Sequence, residues 1–181
     1  GLHNGDRGPP PHIVHNRDRV DYDVSWAPLA TPGIEHWQLL LEGGEGERLM
    51  GVSAFRDFVL VGLRSGGLAT VKLLPKEGDG FGVLRDLPFS GELMSVGVGA
   101  NPTYEATTLM VATESFVEPR SVYDWDTTTD EVTLLKRREV LGGHEPSDYQ
   151  QHRLWATAPD GAQVPISLVA HKDVEADGTN P

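Results

Sequence analysis

The sequence predicts an all-β chain of short antiparallel strands, and three observations carry that expectation. Apolar runs are brief, and the 21 glycines and 13 prolines fall between them. This is the punctuation of strands and tight turns rather than of long helices. Several runs, such as Ala69–Leu74, alternate polar and apolar residues as a half-buried strand does. Turn sequences such as Ser65-Gly66-Gly67 and Pro159-Asp160-Gly161 separate neighbouring runs.

Taken in order, residues 1–25 are polar and irregular around Gly8-Pro9-Pro10-Pro11. Three consecutive prolines cannot join a central strand, so this stretch is expected to be a loop with at most a strand fragment near Asp21–Val24. His36–Leu41 is the first apolar run, ended by Gly43-Gly44, and Leu49–Phe55 follows. Phe58–Leu63 and Leu68–Leu74 flank the Ser65-Gly66-Gly67 turn as a hairpin. After a loop at Pro75–Gly80, Gly82–Leu87 reads as a weak strand and Leu93–Val98 as a better one. Thr108–Thr113, Arg120–Trp125 and Val132–Leu135 complete the series, the last ending in Lys136-Arg137-Arg138. Pro146–Gln151 could form one helical turn. Arg153–Ala158 and Val164–His171 then flank Pro159-Asp160-Gly161, a turn built from a fixed φ, a local side-chain acceptor and a residue tolerant of positive φ. The tail Lys172–Pro181 is polar and expected to be loose.

The strands fall into two groups of roughly four, over about residues 36–90 and 91–138, each the length of a propeller blade. A single blade buries too little by itself and depends on its neighbours. A β-sandwich would give similar punctuation.

Composition narrows the chemistry. There is no cysteine, so disulfides and thiolate zinc sites are excluded. No apolar stretch is long enough to span a bilayer as a helix, and no signal peptide is visible. The chain begins with Gly1 and ends at Pro181 inside a polar run, which suggests an internal segment or a processed product. A net charge of −12 repels nucleic-acid phosphates and serves solubility, or gathers basic ligands.

Residues 139–181 carry a resemblance. Glu139-Val140-Leu141-Gly142-Gly143 leads to Asp148-Tyr149, then to Leu154-Trp155-Ala156-Thr157-Ala158, Asp160-Gly161 and Val164-Pro165-Ile166-Ser167-Leu168-Val169. This series is similar to the domain junction of the prolyl oligopeptidase family, in the oligopeptidase B branch that cuts after basic residues. Upstream, Gly51, Phe55-Arg56-Asp57, Gly66-Gly67-Leu68, Glu114-Ser115-Phe116, Pro119 and Tyr123-Asp124 fit more loosely, as do Leu2-His3-Asn4 and Ala27-Pro28-Leu29. Residues 1–35 otherwise match poorly and the proline-rich start departs from the pattern, so the resemblance covers about residues 36–181 and is strongest after residue 139.

The resemblance implies a partial β-propeller, the last blades of a seven-bladed one, followed by a β-hairpin that opens an α/β-hydrolase domain. The domains would be residues 1–140 for the propeller blades and 141–181 for the linker and hairpin. An Asn-Pro pair such as Asn180-Pro181 commonly precedes that domain's next strand. The propeller would cap the active site and admit only short peptides.

The sequence supplies no catalytic residue for this chemistry. A hydrolase nucleophile needs Gly-x-Ser-x-Gly at a strand-to-helix turn. Phe55 replaces the second glycine at Ser53, Leu93 the first at Ser95, and Leu63 the first at Ser65. His144, His152 and His171 read as surface or hairpin residues. Asp124, Asp126 and Asp130 suggest a calcium loop, but Thr129 and Leu135 occupy the positions that require glycine and glutamate. His12 and His15 with Asp21 and Asp23 could chelate a metal, though a polar loop is the simpler reading. Gly97-Val98-Gly99 lacks the third glycine of a dinucleotide site and reads as a strand end. Lys136-Arg137-Arg138 is too short for a nucleic-acid patch and reads as a solvated strand end or as a partner for acidic residues across the domain junction. Trp26, Trp37, Trp125 and Trp155 read as core or inter-blade packing.

The expectation is therefore a non-catalytic segment of a cytoplasmic serine oligopeptidase, without cofactor, metal, membrane or nucleic-acid partner. Its partners would be short basic peptides and the rest of the same polypeptide. The alternative is a self-standing acidic β-rich binding module.

Overall fold

A computed structural model of the chain describes residues 11–44, 46–78, 80–101, 103–175 and 177–178. Leu2-His3-Asn4, Gly8-Pro9-Pro10 and Asn180-Pro181 lie outside the described residues. Every described sheet is antiparallel, and the only helical turns among the described residues are two short 3-10 turns, Ile34–His36 and Pro146–Asp148.

Strands β1 (His12–His15), β2 (Asp23–Trp26) and β3 (Gln38–Leu41) form a three-stranded sheet in the order β1-β2-β3. β1 corrects the expected loop within residues 11–25, whereas β2 overlaps the strand fragment expected near Asp21–Val24. Pro11 precedes β1 instead of interrupting it, and β1 is an edge strand paired with β2 alone among the described residues, where proline is harmless. The sheet also removes β3 from the following group, because Leu41 and Gln38 pair with Val24 and Trp26 of β2.

The second sheet contains β4 (Glu47–Ala54), β5 (Phe58–Ser65), β6 (Leu68–Glu77), β7 (Gly80–Phe81) and β8 (Arg85–Asp86). The continuous apolar run Phe58-Val59-Leu60-Val61 has no polar face, so it suits only a strand covered on both sides. β5 occupies that place, between β4 and β6, with these four residues buried. Gly66 and Gly67 both take positive φ, 54° and 83°, in the turn between β5 and β6, the left-handed geometry that matches strand twist. The expected loop at Pro75–Gly80 is instead strand as far as Glu77. The expected strand Gly82–Leu87 is reduced to β8, with β7 before it.

Contacts divide the chain into two compact units, residues 1–87 with 101–107, and residues 88–100 with 108–181. The core of the first gathers Val24, Leu49, Val59, Val61, Leu63 and Leu74, with Val14, Leu40 and Leu41 packed against it. Each such buried aliphatic side chain contributes about 2 kcal/mol of transfer free energy. Phe55 and Phe58 stack at 4.7 Å between centroids, and the Lys76 ammonium lies 5.5 Å from the Tyr104 ring centre.

The second unit holds a four-stranded meander and a hairpin. Strands β9 (Ser95–Val98), β10 (Thr108–Glu114), β11 (Ser121–Asp126) and β12 (Val132–Arg137) lie side by side in chain order. β10 alternates as its sequence predicts: Leu109, Val111 and Thr113 are buried while Thr108, Met110 and Glu114 are exposed. Trp125 on β11 is fully buried. β12 is exposed along its whole length, and Leu135 is an extra residue between the Val122–Lys136 and Tyr123–Leu134 pairs. That bulge and the basic end blunt a strand edge that would otherwise invite another chain.

Strands β13 (Tyr149–Thr157) and β14 (Gln163–His171) form the two-stranded hairpin, in register from Tyr149 opposite His171 to Thr157 opposite Gln163. Its turn works as the sequence predicts. Asp160 accepts from the Ala162 amide at 3.0 Å, and Gly161 has φ 87°. β13 begins four residues before the expected Arg153. Only Pro146–Asp148 forms the helical turn expected over Pro146–Gln151.

Candidate functional site

The groups singled out as possible chemistry are mostly occupied with holding turns and strands. Ser53 lies inside β4, Ser65 ends β5 and Ser95 opens β9, so none stands at a strand-to-helix turn. A nucleophile–base contact does exist elsewhere. The His15 Nε2 lies 2.8 Å from the Ser25 Oγ, a contact between diagonal neighbours on β1 and β2 that sequence reading missed. It lacks the rest of a catalytic arrangement. Ser25 is buried, and among the described residues the His15 Nδ1 meets no acceptor to orient the ring. The imidazole instead packs 5.1 Å from Trp37, beside a hollow of about 200 Å³ also lined by Arg19, Asp23 and Glu42.

Of the metal candidates, Asp23, Asp126 and Asp130 are likewise engaged. Asp23 is buried, accepts from the Gly43 amide at 3.0 Å and faces the Arg19 guanidinium at 3.5 Å. Asp126 accepts from the Thr128 hydroxyl and from the Thr128 and Thr129 amides, and these bonds hold its carboxyl below the usual aspartate range. Asp130 accepts from the Trp125 indole at 3.0 Å. Among the described residues, no three metal-ligating side chains converge.

The histidines near the junction belong to the hairpin's attachments. The His144 Nε2 lies 2.7 Å from the Val117 carbonyl, and its ring stacks on Tyr149 at 5.3 Å. The His171 ring meets Tyr149 edge-on at 6.0 Å. The His152 Nδ1 lies 3.5 Å from a Glu92 carboxylate oxygen. At the hairpin's open end, Lys172 donates to the Asp148 carboxylate at 2.6 Å. That contact lowers the Asp148 pKa and raises that of Lys172. Arg138 faces Glu114 at 3.9 Å and Arg137 donates to Ser121, so the basic run is anchored within its own sheet.

The surface that stands out is the hairpin itself. Register and the period of two place Leu154, Ala156, Val164 and Ile166 on one face, and Trp155, Pro165 and Val169 on the other. Leu154 is 46 % exposed, Trp155 53 % and Ile166 43 %. Trp155 thus departs from the expected core role that Trp125 fulfils. The first face is largely apolar, and the second sets Trp155, Pro165 and Val169 among Gln151, Arg153 and Ser167. A two-stranded ribbon exposing this much apolar surface is not a stable end state in water. A hollow of about 290 Å³ lies beside it, bordered by Gln150, His152, Leu168, Val174 and Glu175. The arrangement offers a docking element rather than a reaction centre.

Residues 11–138 match the family model described as the prolyl oligopeptidase N-terminal β-propeller domain. The match reaches back to Pro11, so it takes in residues 11–35, which the sequence alone leaves as a poor match. The chain is 29 % identical over 163 residues to dipeptidyl aminopeptidase BI of Pseudoxanthomonas mexicana, an alignment of 90 % of this chain and 22 % of that protein. It is 26 % identical over 175 residues to protease 2 of Moraxella lacunata, across 87 % of this chain and 25 % of that one. Among solved structures, oligopeptidase B from Trypanosoma brucei with covalently bound antipain superposes with a TM-score of 0.80 at 29 % identity. That match covers 94 % of this chain and 25 % of that one. The chain therefore spans about a quarter of the length of these relatives. With its antiparallel meanders and the match over residues 11–138, the chain belongs to the prolyl oligopeptidase family of serine peptidases and carries part of that family's N-terminal β-propeller.

Proposed function

We propose that this chain is the non-catalytic propeller segment of a serine-type oligopeptidase that hydrolyses short peptides after Arg or Lys. In this reading residues 1–140 are the C-terminal blades of the propeller, and residues 141–181 are the linker and first hairpin of the catalytic domain. The nucleophilic serine, its histidine and aspartate, and the amides that stabilise the oxyanion lie in the rest of the polypeptide. The chain alone is inactive. Its role is to restrict entry to the active site, and the enzyme works in the cytoplasm without a cofactor.

The observation that carries this reading is the β13–β14 hairpin, which follows β12 and leaves Leu154, Trp155, Val164 and Ile166 exposed. It has the form of an element made to be covered by further chain. The net charge of −12 supports a preference for basic peptides, since an acidic surface concentrates cationic ligands at low ionic strength. Among the described residues no helix is long and apolar enough to cross a membrane.

The test compares the intact polypeptide with residues 1–181 on fluorogenic peptides ending in Arg, Lys or Pro, and on a folded protein substrate. The expected result is cleavage after Arg and Lys by the intact polypeptide, none of the folded substrate, and no turnover by residues 1–181. Preferential cleavage after proline would overturn the specificity. Efficient cleavage of the folded substrate would overturn the gating.

A further inference from the structure

The covalent link between β12 and β13 does little to fix where the hairpin sits. It runs through residues 138–148, with Leu141 90 % exposed. Gly142 and Gly143 both stand at positive φ, 92° and 86°, a backbone region glycine enters and leaves freely. The hairpin's position within its unit therefore depends on non-covalent contacts; His144 contributes one, to the Val117 carbonyl, and a second group centres on one residue of the loop before β9.

That residue is Glu92. One of its carboxylate oxygens accepts the Arg153 backbone amide at 2.8 Å. The other lies 3.5 Å from the His152 Nδ1. Its own carbonyl accepts from the Gln151 side-chain amide at 2.6 Å, and that same amide reaches the Ser115 hydroxyl at 3.3 Å. Three consecutive residues of β13 are thus engaged by one side chain and its carbonyl, across about sixty residues of sequence. The Arg153 amide does not face the hairpin's own ladder, so without Glu92 an edge donor of β13 would lose its partner.

The backbone at this point is unusual in a way that fits. Leu93, the next residue, has φ 54° and is buried. A leucine in the left-handed region costs about 1 kcal/mol or more, and such outliers persist where the surrounding structure holds them for a purpose. Here the left-handed step follows the residue whose carboxylate meets β13, while the leucine side chain enters the interior.

We propose that Glu92 is a latch that fixes the β13–β14 hairpin against the β9–β12 sheet through Gln151, His152 and Arg153. It acts as a positioning residue and takes no part in bond-making.

Residue-resolved amide hydrogen exchange on the intact polypeptide tests this, in the unaltered protein, in Glu92→Ala and in Glu92→Gln. Glu92→Ala is expected to accelerate exchange at Arg153 by about tenfold, while Leu109, Val111 and Tyr123 on β10 and β11 keep their rates. Glu92→Gln keeps a carbonyl acceptor without the charge and is expected to fall between. Unchanged exchange at Arg153 in Glu92→Ala would overturn the proposal. So would equal acceleration on β10 and β11, which would make Glu92 a general folding residue. If Glu92→Ala does not fold, the same comparison is read from Glu92→Gln, and equal rates in hairpin and sheet again overturn the latch.

Discussion

Asp130 shows how much one side chain of the β11–β12 turn carries. It holds a positive φ of 59°, tolerable for aspartate, and accepts the indole proton of the fully buried Trp125. Removing the acceptor costs the buried indole this hydrogen bond and places alanine where only glycine and short polar residues are comfortable. Asp130→Ala is therefore expected to destabilise the fold by about 2 kcal/mol, and Asp130→Asn by well under half of that, because the amide oxygen still accepts. Chemical denaturation midpoints of the intact polypeptide check both. The spacing of Asp124, Asp126 and Asp130 was legible in the sequence. What divides their labour was not: Asp126 caps three donors of the turn and Asp130 serves the core, an assignment that depends on which way each strand faces.

At the scale of elements, continuous apolar runs and turn chemistry were the readable part. β4, β5, β6, β10, β11, β12 and the β13–β14 turn follow from them. β1 escaped notice because His12 and His15 bracket only two apolar residues behind the prolines, and an edge strand needs no more. The Glu92 contacts and the His15–Ser25 contact were illegible for a different reason. Both are tertiary coincidences between strands or loops, with no local pattern to announce them. The open end of the hairpin gives a prediction of its own. Lys172 holds Asp148 below its usual value of 3.8, and Asp148 raises Lys172 above 10.5. The aspartate's contribution is fully present above 3.8 and fades as the pH falls through its lower folded value. The lysine's is fully present below 10.5 and fades as the pH rises through its higher one. Exchange protection at the hairpin's open end should thus be flat between these limits and fall outside them. Lys172→Met should reduce the acid-side loss, leaving the smaller part that His171 and His144 contribute. Both groups are exposed, so added salt should weaken the effect.

At the scale of the whole molecule, the chain is a set of meanders whose last element presents apolar side chains on two faces. Residues 1–181 alone are expected to bind a hydrophobic dye strongly, and the intact polypeptide weakly, measured as fluorescence at equal molar concentration. Equal binding would mean that Leu154, Trp155 and Ile166 stay uncovered in the larger protein. The lack of a nucleophile elbow was visible residue by residue, because that motif is local. The docking character of the hairpin became visible only once register had sorted its residues onto two faces.

The order of the β9–β12 sheet has a consequence for how the protein is made. Each strand pairs with the one synthesised just before it, so every ladder in that sheet closes over a short stretch of chain. Such local pairing proceeds quickly and can begin as the segment leaves the ribosome. The loop bearing Glu92 precedes β9, so the latch's acceptors are laid down before β13 is translated. The nascent hairpin then emerges beside a surface ready to receive it, so the outward amide of Arg153 meets its acceptor as soon as β13 is made.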